Sequence, residues 1–226
     1  MRYIFGIHGK ENAFAQCGSL AHSILERYAK GQLELYELAD TFDKEFDDAV
    51  TMRFPHFFCD LRKKYHDDIV VYFDHFNGFG KYKILGVEDK FNVDIDDWTF
   101  TGIIDLLLED PEGNLVVLDH KSKAEFKSKK EMHKYARQLY LYAFYVETKY
   151  GKRPTKLVFN MFRKRNIVEI PFSEEDYQEA LQWARDTVAA IRTETEYEPT
   201  FDDFFCENLC DFRGKLCKYH KSEAKK

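Results

Sequence analysis

The sequence predicts a mixed α/β fold with one central sheet flanked by helices. Residues 82–122 contain three runs rich in β-branched and apolar residues, separated by short turns. A long segment with a helix-opening signature follows, and two more strand-like runs come after it. The order helices, three strands, helix, two strands, helix is that of a mixed layer architecture around one core.

Taken in order, residues 11–30 (ENAFAQCGSLAHSILERYAK) place Phe14, Leu20, Ile24 and Leu25 on one helical stripe, with Gly31 as the stop. Residues 34–49 and 55–76 predict two further, aromatic-rich helices, the second with Pro55 near its start. KILGVEDKFNVDI, WTFTGIIDLLLE and NLVVLDHKS are the three strands, and DPEGN turns the chain between the second and third. Ser128 and Glu131 have capping-box spacing and open a helix reaching Tyr150, which Gly151 and Pro154 end. KLVFNMF and NIVEIPF form a strand pair. A last helix runs from Ser173, with Asp176 three residues on, to Arg192. There are no internal repeats or low-complexity tracts.

The 226 residues suffice for one generous domain or one domain with an appendage. Hydrophobic residues at 44% and charged residues at 33% fit a soluble globular protein. No apolar run approaches the roughly 20 residues of a membrane helix, and the first residues lack a signal-peptide core, so a cytoplasmic location is expected. The net charge of −6 counts mildly against nucleic-acid binding. Its distribution counts for it: Lys123, Lys127, Lys129, Lys130, His133, Lys134 and Arg137 face only Glu125 and Glu131 over the same stretch. Such a patch can contact phosphates while the rest of the surface repels them, and it can equally be a solvated helix face.

The most informative segment is GIIDLLLEDPEGNLVVLDHK, residues 102–121. Each of its two apolar runs carries an aspartate that the pattern does not require. With the turn centred on Glu112, counting pairs Glu109 with Leu115, Leu107 with Val117, and Asp105 with Asp119. Facing residues have Cβ atoms about 4.5–5.5 Å apart, so the two carboxylates repel unless a cation or a proton intervenes. Lys121 shares a face with Asp119, and His120 points away. The apolar neighbours imply a strand pair covered on both faces, where two unpartnered acids are costly. Oxygen-rich sites of this kind suit Mg²⁺ or Mn²⁺, which polarise a scissile phosphate and activate water. Lys121 would orient the water or offset developing charge. A salt bridge between Lys121 and one aspartate is the plainer alternative.

Other residues extend the pattern. Gln138 and Tyr142 are four apart on the capped helix and share a face. His22 lies mid-helix beside the small residues Gly18 and Ala21, which permit close approach of another element. Glu88 lies in the strand before the hairpin. Together these residues resemble the PD-(D/E)XK nuclease superfamily, in its RecB-like branch, which includes the nuclease domains of RecB and AddB, CRISPR adaptation nucleases and phage exonuclease-like proteins. The ordered pattern matches Gly18/His22, Glu88, Gly102/Asp105, Asp119/Lys121 and Gln138/Tyr142. The resemblance implies a restriction-endonuclease-like core. It also implies a metal held by His22, Asp105, Asp119 and the His120 carbonyl, with Lys121 catalytic and Gln138 and Tyr142 positioning the substrate. Glu88 is a further candidate ligand, and Lys123, Lys127, Lys129, Lys130, Lys134 and Arg137 are candidate DNA contacts.

Of the five cysteines, Cys206, Cys210 and Cys217 crowd the last 21 residues, and Cys17 and Cys59 lie upstream. The odd count argues against a disulfide framework. Many RecB-like members hold a [4Fe-4S] cluster with one upstream and three downstream cysteines. Here each gap is one residue looser than usual, and Cys17 is a poor equivalent of the upstream ligand. A zinc site completed by His220, or free thiols, are the alternatives.

The expected organisation is a nuclease domain over residues 1–200, comprising a helical part (1–80), a sheet-bearing core (81–172) and a final helix (173–195), with a cysteine-bearing tail (201–226) packed on it. The expected function is metal-dependent DNA hydrolysis, as an exonuclease of recombination, repair or end processing in a bacterial or phage-infected cell, with a recombination or helicase partner. The alternatives are a CRISPR adaptation nuclease and a non-catalytic nucleic-acid-binding module on a nuclease fold.

Overall fold

The computed structural model describes residues 6–196, 202–212 and 217. Helix α1 (Ala13–Ala29) opens at Asn12, whose side-chain oxygen accepts the Ala15 amide N–H, and it buries Cys17, Leu20, Ala21, Ile24 and Leu25 along one stripe. That stripe packs with α2 (Leu38–Ala49) and α3 (Leu61–His75) around Phe42, Phe46, Ile69 and Phe73. The first two helices lie where their periodicity puts them, with a short 3₁₀ turn (Leu35–Glu37) leading into the second. The third begins at Leu61, six residues beyond Pro55. Asp60 sets that start by accepting the Lys63 amide N–H, so residues before it stay in a loop.

One five-stranded sheet follows: β1 (Lys83–Ile95), β2 (Trp98–Glu109), β3 (Leu115–His120), β4 (Pro154–Met161) and β5 (Asn166–Pro171), adjacent in that order. All neighbours are antiparallel except β3 and β4, which run parallel. A parallel pair needs a crossover, supplied here by α4 (Lys129–Tyr150). The Ser128 side chain caps α4 through the Glu131 N–H, while the Glu131 carboxylate reaches back one residue farther than a capping box, to the Lys127 N–H. Gly151 ends α4 in the left-handed conformation at φ +68°.

Helices α4 and α5 (Glu174–Thr193) cover one face of the sheet, where Leu107, Val117, Leu157 and Phe159 meet Leu139, Tyr140, Val146 and Tyr177. Leu106, Leu108, Val116, Leu118 and Val158 pack with Phe79 on the other face. Every residue of β3 is buried, which explains its unbroken apolar run. A short helix α6 (Asp203–Asn208) follows, and Asp211 beyond it accepts the Lys10 amide N–H at 3.0 Å, joining this segment to the N-terminal one. No helix among the described residues is long and apolar enough to cross a membrane.

Gly102 of β2 is required by what lies over it. A Cβ there would sit 2.5 Å from Phe91 Cζ and 3.0 Å from Tyr142 Cε1. Gly102→Ala is therefore expected to displace both rings at a cost of about 1–3 kcal/mol. A thermal melt should show Tm lowered by roughly 5 °C, and an unchanged Tm would refute the packing argument.

Candidate active site

The site forms where β2 and β3 part. The counted pairs Glu109↔Leu115 and Leu107↔Val117 are present in a ladder of four that stops at Leu106↔Leu118. The expected facing pair Asp105–Asp119 is thus corrected. The Asp105 carboxylate turns instead to accept the His120 amide N–H at 2.7 Å. A charge-assisted bond to this N–H outcompetes continued strand pairing.

Helix α1 brings His22 to the same place. Gly18, one turn earlier, lets the helix approach the segment after β3, since a Cβ at that position would already touch Ser122 at 3.4 Å. His22 Nδ1 lies 3.6 Å from Asp105 Oδ2. From β1, Glu88 supplies a third group. It drops out of the ladder between Val87↔Leu106 and Asp89↔Ile104 and takes a left-handed backbone at φ +48°. A non-glycine residue there is strained by about 1–3 kcal/mol, a cost that clusters at functional sites. His22, Glu88 and Asp105 each offer one ligand atom, all within 4.8 Å of one another.

Asp119 sits beside this group, 3% exposed, with Oδ2 2.7 Å from Lys121 Nζ. The contact is a charge pair without hydrogen-bond alignment, so Oδ2 is a buried oxygen lacking an aligned donor. Lys121 Nζ also donates to Gln138 Oε1 at 3.3 Å, and Gln138 Nε2 donates to the Tyr142 hydroxyl. Asp119, Lys121, Gln138 and Tyr142 therefore form one continuous polar line from β3 to α4.

Burial governs the charges. It pushes both Asp105 and Asp119 up to about 6, against the pull of nearby Lys121. Burial, reinforced by Asp105, also raises Glu88. It lowers His22, which the charges of Asp119 and Glu88 and a main-chain hydrogen bond with His120 partly offset. Neutral imidazole with ionised carboxylates is the state in which such a group would bind a cation. The donors are carboxylate oxygens and one imidazole, which fit a hard divalent ion.

The His120 side chain points away from Asp119, as alternation requires, and is fully buried. Its Nδ1 meets Asn160 Nδ2 at 2.9 Å, and the same amide reaches the Tyr72 hydroxyl at 2.7 Å. The Asn160 carbonyl accepts the Lys121 amide N–H at 2.9 Å. Asn160 thus fixes both residues after Asp119, a role the sequence signals only as one polar residue inside the apolar run KLVFNMF. Arg163, equally unforeseen, lies 3.5 Å over the Tyr65 ring and donates to the Ser122 carbonyl at 3.5 Å.

The basic stretch divides. Lys127, Lys129, Lys130 and Lys134 are exposed. Lys123 pairs with Glu131 at 3.0 Å, and Arg137 binds Glu179 through both Nε and Nη2 while covering Trp183. These two are engaged within the chain.

Cys206, Cys210 and Cys217 are half-buried, and among the described residues they form no metal-binding group. His220 lies outside the described residues. Cys17 is fully buried in the helical core, where burial pushes its thiol up to about 12, so it remains a protonated core residue.

No curated protein matches the chain. A family model for the PD-(D/E)XK nuclease superfamily matches residues 1–218, which takes in the helical region, the sheet and the whole polar line just described. With the five-stranded mixed sheet and its flanking helices, that match establishes the family: the chain belongs to the PD-(D/E)XK nuclease superfamily.

Proposed function

We propose that the protein is a Mg²⁺- or Mn²⁺-dependent DNA nuclease of the RecB-like branch, an exonuclease acting in recombination, repair or end processing. One observation carries the reading. The buried Asp119 oxygen without an aligned donor lies beside Lys121 and next to the cluster of His22, Glu88 and Asp105.

In this reading Asp105, Asp119, His22 and the His120 carbonyl hold the cation, with Glu88 as an additional ligand. A bound divalent ion supplies positive charge at the scissile phosphate and favours ionisation of the attacking water. The chain's own residues prepare the rest. The Asp105 carboxylate is oriented by the His120 N–H, which fixes Oδ2, the oxygen that lies 3.6 Å from His22 Nδ1. Lys121 has three N–H groups. Asp119 and Gln138 hold it in place, leaving donor capacity for the water or a phosphate oxygen. Tyr142 anchors Gln138 and so keeps Lys121 from swinging away. Exposed Lys127, Lys129, Lys130 and Lys134 offer screened, sequence-independent attraction to the DNA backbone.

End-labelled single- and double-stranded DNA incubated with the protein should be shortened only when Mg²⁺ or Mn²⁺ is present. Absence of cleavage with either ion on either substrate would overturn the reading. Lys121→Met is expected to lower kcat about 100-fold while leaving metal-dependent thermal stabilisation in place, because it removes a transition-state contact and no ligand.

A further inference from the structure

The loop joining α2 to α3 differs from the rest of the surface. Its residues 53–60 read RFPHFFCD. Phe57 is 47% exposed and Phe58 90%, and their rings lie against each other with centroids 4.4 Å apart. Adjacent exposed rings form an apolar patch of the kind that interaction sites use. Arg53 and His56 flank them, both exposed, and no ion pair engages Arg53 among the described residues.

The base of the loop is firmly built. Gln16 Oε1 accepts the Met52 amide N–H at 2.9 Å, and Gln16 Nε2 donates to the Thr51 hydroxyl. Phe54 packs edge-on against Phe14 and touches Tyr65. Tyr65 lies under Arg163, which holds the Ser122 carbonyl, directly after Lys121. The loop is therefore rooted on α1, and Tyr65 and Arg163 link it to the segment that follows Lys121. From Gln16 to His22 the helix rises about 9 Å.

We propose that Phe57 and Phe58, with Arg53, form a stacking platform for unpaired bases of a single-stranded DNA segment leading into the candidate site. The proposal rests on the nuclease reading and narrows its substrate to DNA with an unpaired stretch. Every base has a π-face, so paired rings bind single strands without regard to sequence, and the guanidinium answers the phosphate charge. A duplex hides its base faces in its own stack and cannot use such a platform along its length.

The test is fluorescence anisotropy of labelled oligonucleotides with the full chain in EDTA, where turnover cannot deplete the probe. Phe57→Ala/Phe58→Ala should bind a single strand about tenfold more weakly than wild type, the worth of one lost stacking contact. An abasic strand of equal length and a blunt duplex should bind both proteins alike. Tyr36→Ala, removing another ring that is 81% exposed, should change nothing. Equal affinity of the double variant and wild type for the single strand would overturn the proposal. So would equal weakening on normal and abasic strands, which would signal charge or folding effects. If the protein cleaves DNA and the platform variant behaves as wild type, the platform fails and the nuclease reading stands. If it cleaves nothing and base-dependent binding persists, the reverse holds.

Discussion

Asp119→Ala is expected to reduce Mg²⁺-dependent DNA cleavage by at least about a thousandfold while leaving a folded protein with a Tm within a few degrees of wild type. The two halves of this expectation have one origin. Asp119 is buried against its own solvation preference, and burial is the largest influence raising its carboxyl. A group held at such a cost does not stabilise the fold, so its removal is not expected to unfold it. What goes is its work at the site, as a cation-facing oxygen and as the anion that fixes Lys121 2.7 Å away. The freed ammonium keeps Gln138 and has a side chain 20% exposed, so water can replace the lost carboxylate. Digestion of end-labelled DNA, alongside a melt of the same preparation, separates the two effects. Cleavage equal to wild type would remove Asp119 from the site.

Much of this arrangement is legible in the sequence, because strand runs, turn residues and cap spacings act over a few residues. The hairpin register follows from counting around Glu112, and four of its pairs are present. Counting cannot reveal that the ladder ends before Asp105, because that end depends on a side chain competing for a main-chain N–H fifteen residues away. Glu88 shows a similar limit. Its position in KILGVEDKFNVDI gives no sign of a left-handed backbone, which is imposed by the divergence of β1 and β2 around the site. The four-residue spacing of Gln138 and Tyr142 is visible, yet their link to Lys121 depends on how α4 crosses the sheet. Asn160 and Arg163 act on residues about 40 positions earlier, through a parallel pairing that a local reading does not register. Helix α3 starts at Leu61 and not near Pro55, because a proline near a helix start is a weaker signal than the Asp60 cap.

Asp105→Asn tests the metal assignment through stability as well as activity. In the metal-free protein burial pushes the Asp105 carboxyl from its ordinary value of 3.8 up to about 6. A folded pKa above the unfolded one means the unfolded chain releases its proton first. Stability is therefore full below about pH 4 and falls as pH rises towards about 6, beyond which the penalty is constant. Asparagine does not ionise, and its amide oxygen can still accept the His120 N–H. The variant should show a weaker decline over this window, leaving the contributions of Asp119 and Glu88, and should melt above metal-free wild type at pH 7. Divalent ions should reverse that order. At 100 times its Kd, Mg²⁺ stabilises a native site by about 2.7 kcal/mol, or roughly 5–10 °C in a chain of this size. The variant, lacking one anionic ligand, should lose most of that gain and cleave at least about a thousandfold more slowly. A Mg²⁺- or Mn²⁺-induced rise in Tm as large in the variant as in wild type would show that Asp105 is not a ligand. The nuclease reading would then rest on Asp119, His22 and Glu88 alone.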